Sequence, residues 1–258
     1  RYLFQKTRIW YLTFRYKKGY WKKNTKEYKG KFFNIHERFN LMSNIIIIPA
    51  RSGSKRLKNK NLLKLNNLSL VERAIIFSKK VKHIDQIIVS SNNIKILNYK
   101  KKYKNIDFIK RPKVLSTNKS LLIDTVIYLN NLFDKRFKNI IILQPTSPYR
   151  SIKFINKTWL KFISLKKKYK STVSVSKETL SDKKKFIIKR GYLFLKRKNK
   201  KENFFEANGN FFMINMNFIK RFKCFVKSGV SAGPIILAKN QIIDIDTKED
   251  YKIAKRYT

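Results

Sequence analysis

The stretch Asn44-Ile45-Ile46-Ile47-Ile48-Pro49-Ala50-Arg51-Ser52-Gly53-Ser54-Lys55-Arg56 decides how this chain is read. Four consecutive isoleucines leave no polar face, the pattern of a short strand buried on both sides of a parallel sheet. Pro49 ends the run because it has no N–H to give to a ladder. A polar, basic loop follows at once, and in open α/β sheets ligands bind beyond the carboxyl ends of the strands. Gly53 allows a backbone turn that aims amide donors inward, while Arg51, Lys55 and the nearby Lys60 can neutralise a polyphosphate. A solvated basic loop is the competing reading of the same residues. The glycine pattern of a Walker A loop is missing, and so is that of a dinucleotide fingerprint.

Outward from this strand the pattern alternates. Leu70, Ala74, Phe77 and Val81 recur at helical spacing and predict a helix over 68–82, followed by a strand at 86–90. A helix over 94–103 leads to a strand at 107–110, and a helix over 121–133 leads to a strand at 139–143. This repetition predicts βαβ units and an α/β fold. Beyond Arg150 the order changes: a helix over 152–168, a strand at 172–176, and a hairpin at 186–189 and 192–195 around Arg190-Gly191. The chain then predicts a strand at 211–214, a helix at 217–222, strands at 235–237 and 242–245, and a terminal helix from Lys248.

Lys and Arg number 62 against 15 acids, a formal charge of +47 in 258 residues. Such a balance suggests a polyanionic partner. The basic residues are nonetheless scattered through nearly every segment with Asn, Ile and Phe, which argues for compositional bias and against a nucleic-acid-binding stripe. No apolar run is long enough to span a membrane. The lone Cys224 has no second thiol and no nearby histidine, so it reads as an inert buried thiol. Residues 1–41 are a basic aromatic stretch without periodicity, expected to be a tail, disordered or upstream of a natural start at Met42. The expected catalytic unit is 42–258.

Two further motifs carry chemistry. Gln144-Pro145-Thr146-Ser147-Pro148-Tyr149-Arg150 follows a buried strand, with prolines that fix the backbone and an amide and hydroxyls suited to a polyol; a rigid turn is the alternative. In Asp244-Ile245-Asp246-Thr247, strand alternation would put both carboxylates on one face, able to hold one Mg²⁺ against phosphate oxygens. Helix capping by Asp246 or Thr247 reads the same residues otherwise.

The loop 50–56 with Lys60-Asn61, then Arg111-Pro112, 144–150, Asn208-Gly209 and 244–247, resembles in order and spacing the motif set of the acylneuraminate cytidylyltransferases, over about 215 residues from Asn44. The resemblance implies a Rossmann-like nucleotidyltransferase with a mixed, mainly parallel central sheet. It also implies a projecting dimerisation element inside 151–205 and a cytoplasmic homodimer. It further implies CTP and an anionic, sialic-acid-like sugar acid as substrates, with Mg²⁺ as cofactor. Arg51, Lys55 and Lys60 would hold the triphosphate, with Ala50, Ser52, Gly53 and Ser54 beside it and Asn61 and Arg111 near the nucleotide. Gln144, Thr146, Ser147, Asn208 and Gly209 would face the sugar, and Asp244 and Asp246 would bind the metal. The chain departs from the family at Asn118, where Asp is common, at Leu122, where a small hydroxyl residue is common, at Glu206, where an arginine often precedes Asn-Gly, and at Val89-Ser90-Ser91-Asn92. A related nucleotidyltransferase with another sugar or base, or an inactive basic nucleic-acid-binding protein, are the alternatives.

Overall fold

The computed structural model describes residues 43–54, 56–134, 136–177, 185–195, 203–236 and 238–258. The predicted tail, Met42 and Lys55 lie outside the described residues. Strand β1 (Ser43–Pro49) carries the four isoleucines, each fully buried. Ile46 and Ile48 join one apolar cluster with Val71, Ala74 and Ile75 and with Ile155, Trp159 and Phe162. Ile45 and Ile47 point to the opposite face by strand periodicity and are equally buried, so both faces are covered, as a parallel sheet requires.

After β1 a hairpin joins β2 (Lys64–Leu65) to β3 (Leu68–Ser69). Its turn residues Asn66 and Asn67 both have positive φ, 45° and 63°, the backbone of a type I′ turn. Ser69 then caps helix α1 (Leu70–Ser78) in a reciprocal box with Glu72. Strand β4 (Gln86–Ser91), helix α2 (Ile94–Leu97), strand β5 (Asp107–Lys110), helix α3 (Leu122–Leu132) and strand β6 (Phe137–Ile142) complete the parallel half. The predicted helix over 94–103 is shorter than expected, giving way to a 3₁₀ turn at Asn98–Lys101.

The second half consists of α4 (Ile152–Ser164), β7 (Ser171–Lys177), the hairpin β8 (Phe186–Lys189) and β9 (Tyr192–Leu195), the long β10 (Phe205–Asn215), α5 (Met216–Phe222) and α6 (Lys248–Lys255). The sheet order is β5-β4-β1-β6-β10-β8-β9, with β7 also paired to β10. Strands β5, β4, β1 and β6 are parallel neighbours, whereas β10 runs antiparallel to β6 and to β7. The α/β class and the mixed sheet are therefore as expected.

Two predicted strands are corrected. The segment 242–245 is no strand: a 3₁₀ turn covers Lys239–Ile242, and the following residues are extended but outside the sheet. Its alternation reflects burial of Ile245 alone, which is fully covered and whose N–H donates to the Thr146 carbonyl at 2.8 Å. At 235–237, Ile235 makes only an isolated bridge to Val175, and Leu237 lies outside the described residues. Among the described residues no helix is long and apolar enough to cross a membrane.

Candidate active site

The parallel strands β1, β4, β5 and β6 all end on one edge, and their outgoing loops enclose a cleft of about 430 Å³. Among the described residues, four cationic side chains, Arg51, Arg56, Lys60 and Arg111, line it beside a single acid, Asp246. The cleft therefore concentrates positive charge where a sheet of this kind binds anions.

One wall is the loop after β1. The Ala50 N–H donates to the Ser90 carbonyl at 2.9 Å, and Ser91 Oγ donates to the Ala50 carbonyl at 2.6 Å, tying the loop to the end of β4. The Ser52 N–H is received by Asn92 Oδ1 at 2.7 Å, and Asn61 Nδ2 donates to the Arg51 carbonyl at 2.9 Å. Gly53 has φ of +87°, a left-handed conformation that a side chain would strain. The Arg51 guanidinium reaches across to the Thr117 carbonyl at 2.7 Å. Arg111 is nearly fully buried and donates to Ser90 Oγ at 3.1 Å and to the Ser90 carbonyl at 2.9 Å. Burial first, and then nearby Arg51, lowers its pKa to about 10, so it remains cationic at neutral pH.

The opposite wall is the loop after β6, with part of β10 packed behind Gln144. Strand β10 shifts register between Ala207 and Phe212, and Gly209 there has φ of +75°. Ser174 Oγ fills the irregularity, donating to Asn208 Oδ1 at 2.7 Å and accepting the Phe211 N–H at 3.0 Å. Such bulges re-aim side chains next to binding sites. A Cβ at Gly209 would lie 3.6 Å from Ser147 Oγ, 3.7 Å from Gln144 Nε2 and 3.8 Å from Asp244 Oδ2, so three polar groups converge on the space its hydrogen leaves. Among the described residues, Ser147 Oγ and Asn208 Nδ2 are buried without a hydrogen-bond partner. Unpartnered buried polar atoms are costly, and here they mark a place that a polar ligand or water would satisfy.

Asp246 stands between the walls. Its carboxylate accepts from Lys60 Nζ at 2.6 Å and from the Arg56 guanidinium. Thr247 and Asp250 form a capping box at the start of α6, so the capping reading holds for Thr247, while Asp246 faces the cleft. The donors offered to a metal are carboxylate oxygens, with no His or Cys, which suits Mg²⁺ better than zinc. Among the described residues no three of His, Cys, Asp and Glu stand together.

Of the residues predicted from sequence, Arg51, Ser54, Lys60, Asn61, Arg111, Gln144, Thr146 and Asp246 line the cleft. Ser52 and Gly53 line a small recess beside it, and Ala50 is buried behind it. Ser147, Gly209 and Asp244 gather next to Gln144, with Asn208 adjoining. Lys55 lies outside the described residues. Arg56 was quoted within the loop but given no role; in so basic a chain nothing distinguished it. Leu115, Ser120 and Leu121 complete the wall and carried no signal. Of the departures, Asn118 and Leu122 both line the cleft, and Asn118 receives a long 3.4 Å contact from Arg51, whose main partner is the Thr117 carbonyl. Glu206 is buried on β10 with Lys185 Nζ at 3.6 Å.

A family model described as cytidylyltransferase matches residues 45–258. The N-acylneuraminate cytidylyltransferase of Escherichia coli O18:K1:H7 is 29% identical over 81% of this chain, which spans only 51% of that relative's length. A pseudaminic acid cytidylyltransferase of Campylobacter jejuni is 22% identical over 83% of the chain and 95% of its own. Among solved structures, CMP:2-keto-3-deoxy-manno-octonic acid synthetase complexed with CTP superposes with a TM-score of 0.65 over 83% of this chain and 98% of its own, at 12% identity, a likeness of fold.

Proposed function

The chain belongs to the cytidylyltransferase family, and from that premise we propose that it transfers the CMP group of CTP to a nonulosonic, sialic-acid-like sugar acid. The observation that carries this reading is the cationic cleft at the carboxyl ends of the parallel strands, with Asp246 held at its mouth by Lys60 and Arg56. The anomeric hydroxyl oxygen bonds to the α-phosphorus, the bond from that phosphorus to the bridging oxygen breaks, and pyrophosphate leaves as the hydroxyl proton is released. Such transfers depend on positioning and on neutralising phosphate charge.

Arg51, Lys60 and Arg111 bind the triphosphate side. Arg56 and Lys60 exchange their contact with Asp246 for phosphate oxygens as CTP enters. Gln144, Ser147 and the Gly209 backbone receive the sugar acid, whose hydroxyls satisfy the buried polar atoms there. Asp244 and Asp246 would hold Mg²⁺, which when bound supplies charge neutralisation at the phosphates. We place the reaction in the cytoplasm, with a homodimer formed through residues within 151–205.

Pyrophosphate release measured with each of the four nucleoside triphosphates, against N-acetylneuraminate, legionaminate and pseudaminate, tests the assignment. Release is expected with CTP and at least one of these acids, and lost when Asp244 and Asp246 are both changed to Asn. No release with CTP and any of them would refute it; preference for another triphosphate would point to a different nucleotidyltransferase.

A further inference from the structure

The two walls of the cleft are braced by separate hydrogen-bond sets. On the nucleotide wall the braces are Arg51 to Thr117, Asn61 to Arg51 and Ser52 to Asn92. On the acceptor wall Arg150 Nε donates to the Asn210 carbonyl at 2.8 Å, and its Nη2 donates to the Gln144 carbonyl. Asn210 answers: its Nδ2 donates to the Tyr149 carbonyl and to the Gln241 carbonyl, each at 2.8 Å. Arg150 thus binds the main chain of Asn210, and Asn210 the main chain of Tyr149 next to Arg150, and together they join three segments, the loop after β6, the irregular stretch of β10, and the segment leading to Asp244. Asn210 is 1% exposed, and neither residue lines the cleft. The Arg150 cation also lies close enough to Asp244 for the two to interact electrostatically.

We propose that Arg150 and Asn210 are a positioning pair that sets the acceptor side of the cleft independently of the nucleotide side, an inference that rests on the function proposed above. A planar fork with two donors can hold two carbonyls at once, and a lysine ammonium keeps the charge without that geometry. Arg150→Lys therefore isolates position from charge.

The test compares wild type, Arg150→Lys, Arg150→Met and Asn210→Ser. Acceptor KM and kcat are read by pyrophosphate release with whichever sugar acid the wild type uses, CTP affinity by calorimetry without acceptor, and folding by thermal melts. Arg150→Lys and Asn210→Ser are expected to raise acceptor KM about tenfold or more and to lower kcat, with CTP Kd within about threefold of wild type. Should Arg150→Met fail to fold, the two milder variants decide the matter. Unchanged acceptor KM, or CTP affinity weakened in parallel with it, overturns the positioning role alone. A wild-type protein that binds CTP but turns over none of the acids overturns this proposal together with the enzymatic reading.

Discussion

Replacing Gly209 by alanine separates what this residue does for the fold from what it does for the site. At φ of +75° an L side chain pays about 1 to 2 kcal/mol for the left-handed backbone. No clash adds to this, because the nearest atoms to the new methyl lie at 3.6 to 3.8 Å, ordinary van der Waals contact. For a domain of this size the loss corresponds to a melting temperature lower by roughly 2 to 8 °C. The site suffers more. The methyl occupies the space on which Ser147 Oγ, Gln144 Nε2 and Asp244 Oδ2 converge, so an acceptor hydroxyl can no longer approach these groups. Three net hydrogen bonds at about 1 kcal/mol each amount to roughly a hundredfold in kcat/KM for the sugar acid. Thermal melts and pyrophosphate release on one preparation measure both effects. The reasoning fails if kcat/KM stays within about twofold of wild type while the melting temperature falls as stated. It also fails if the variant loses far more stability than backbone strain accounts for.

Other positions give independent checks. Asp246→Asn removes a partly exposed ion pair with Lys60 and Arg56, so stability should change by less than about 1 kcal/mol while turnover falls by about a hundredfold or more, measured by melts and pyrophosphate release. Gly233→Ala would put a Cβ 2.3 Å from Leu193 Cδ2 in a buried site, costing about 1 to 3 kcal/mol, seen as a lower urea midpoint with kcat unchanged. Glu72 tests the pH dependence. Burial alone would raise its carboxyl, but hydrogen bonds from Lys102, from the Ser69 side chain and backbone, and from Tyr103 outweigh it and bring the pKa from 4.5 to about 2. The folded state therefore binds fewer protons than the unfolded chain between these values. Its contribution, about 2 to 3 kcal/mol, should be complete above pH 4.5 and fade as pH falls toward 2, and Glu72→Gln should flatten that limb in urea titrations across pH.

What the chain's sequence makes legible depends on how local the physical cause is. The isoleucine run of β1 and the capped helices follow from a few adjacent residues, and they appear where periodicity and capping predict them. The hairpin of β2 and β3 escaped because two-residue strands are too short to show alternation, although Asn66-Asn67 carried a turn signal. Residues 242–245 misled because one buried isoleucine beside polar neighbours imitates a strand, and only the distant Thr146 carbonyl reveals how the segment is held.

The same logic governs the site. Loops after buried strands were readable from order and spacing, so half of the cleft-lining residues were found. The contacts that fix them were not, because Arg150 and Asn210 are 60 positions apart and no local pattern links them. Glu206 shows the converse. Read along the chain, an acid in place of a base suggests an altered substrate contact. In the fold its carboxylate is buried beside Lys185, and β10 carries it one strand position past Ala207 from the Asn208-Gly209 pair. Its charge is balanced within the protein, so the inversion at this position is accommodated by a partner some 20 residues away and need not be offset by the ligand. Two departures do reach the cleft, Asn118 and Leu122 at the start of α3, and an apolar side chain at Leu122 is expected to narrow the choice of substrate by shape and desolvation.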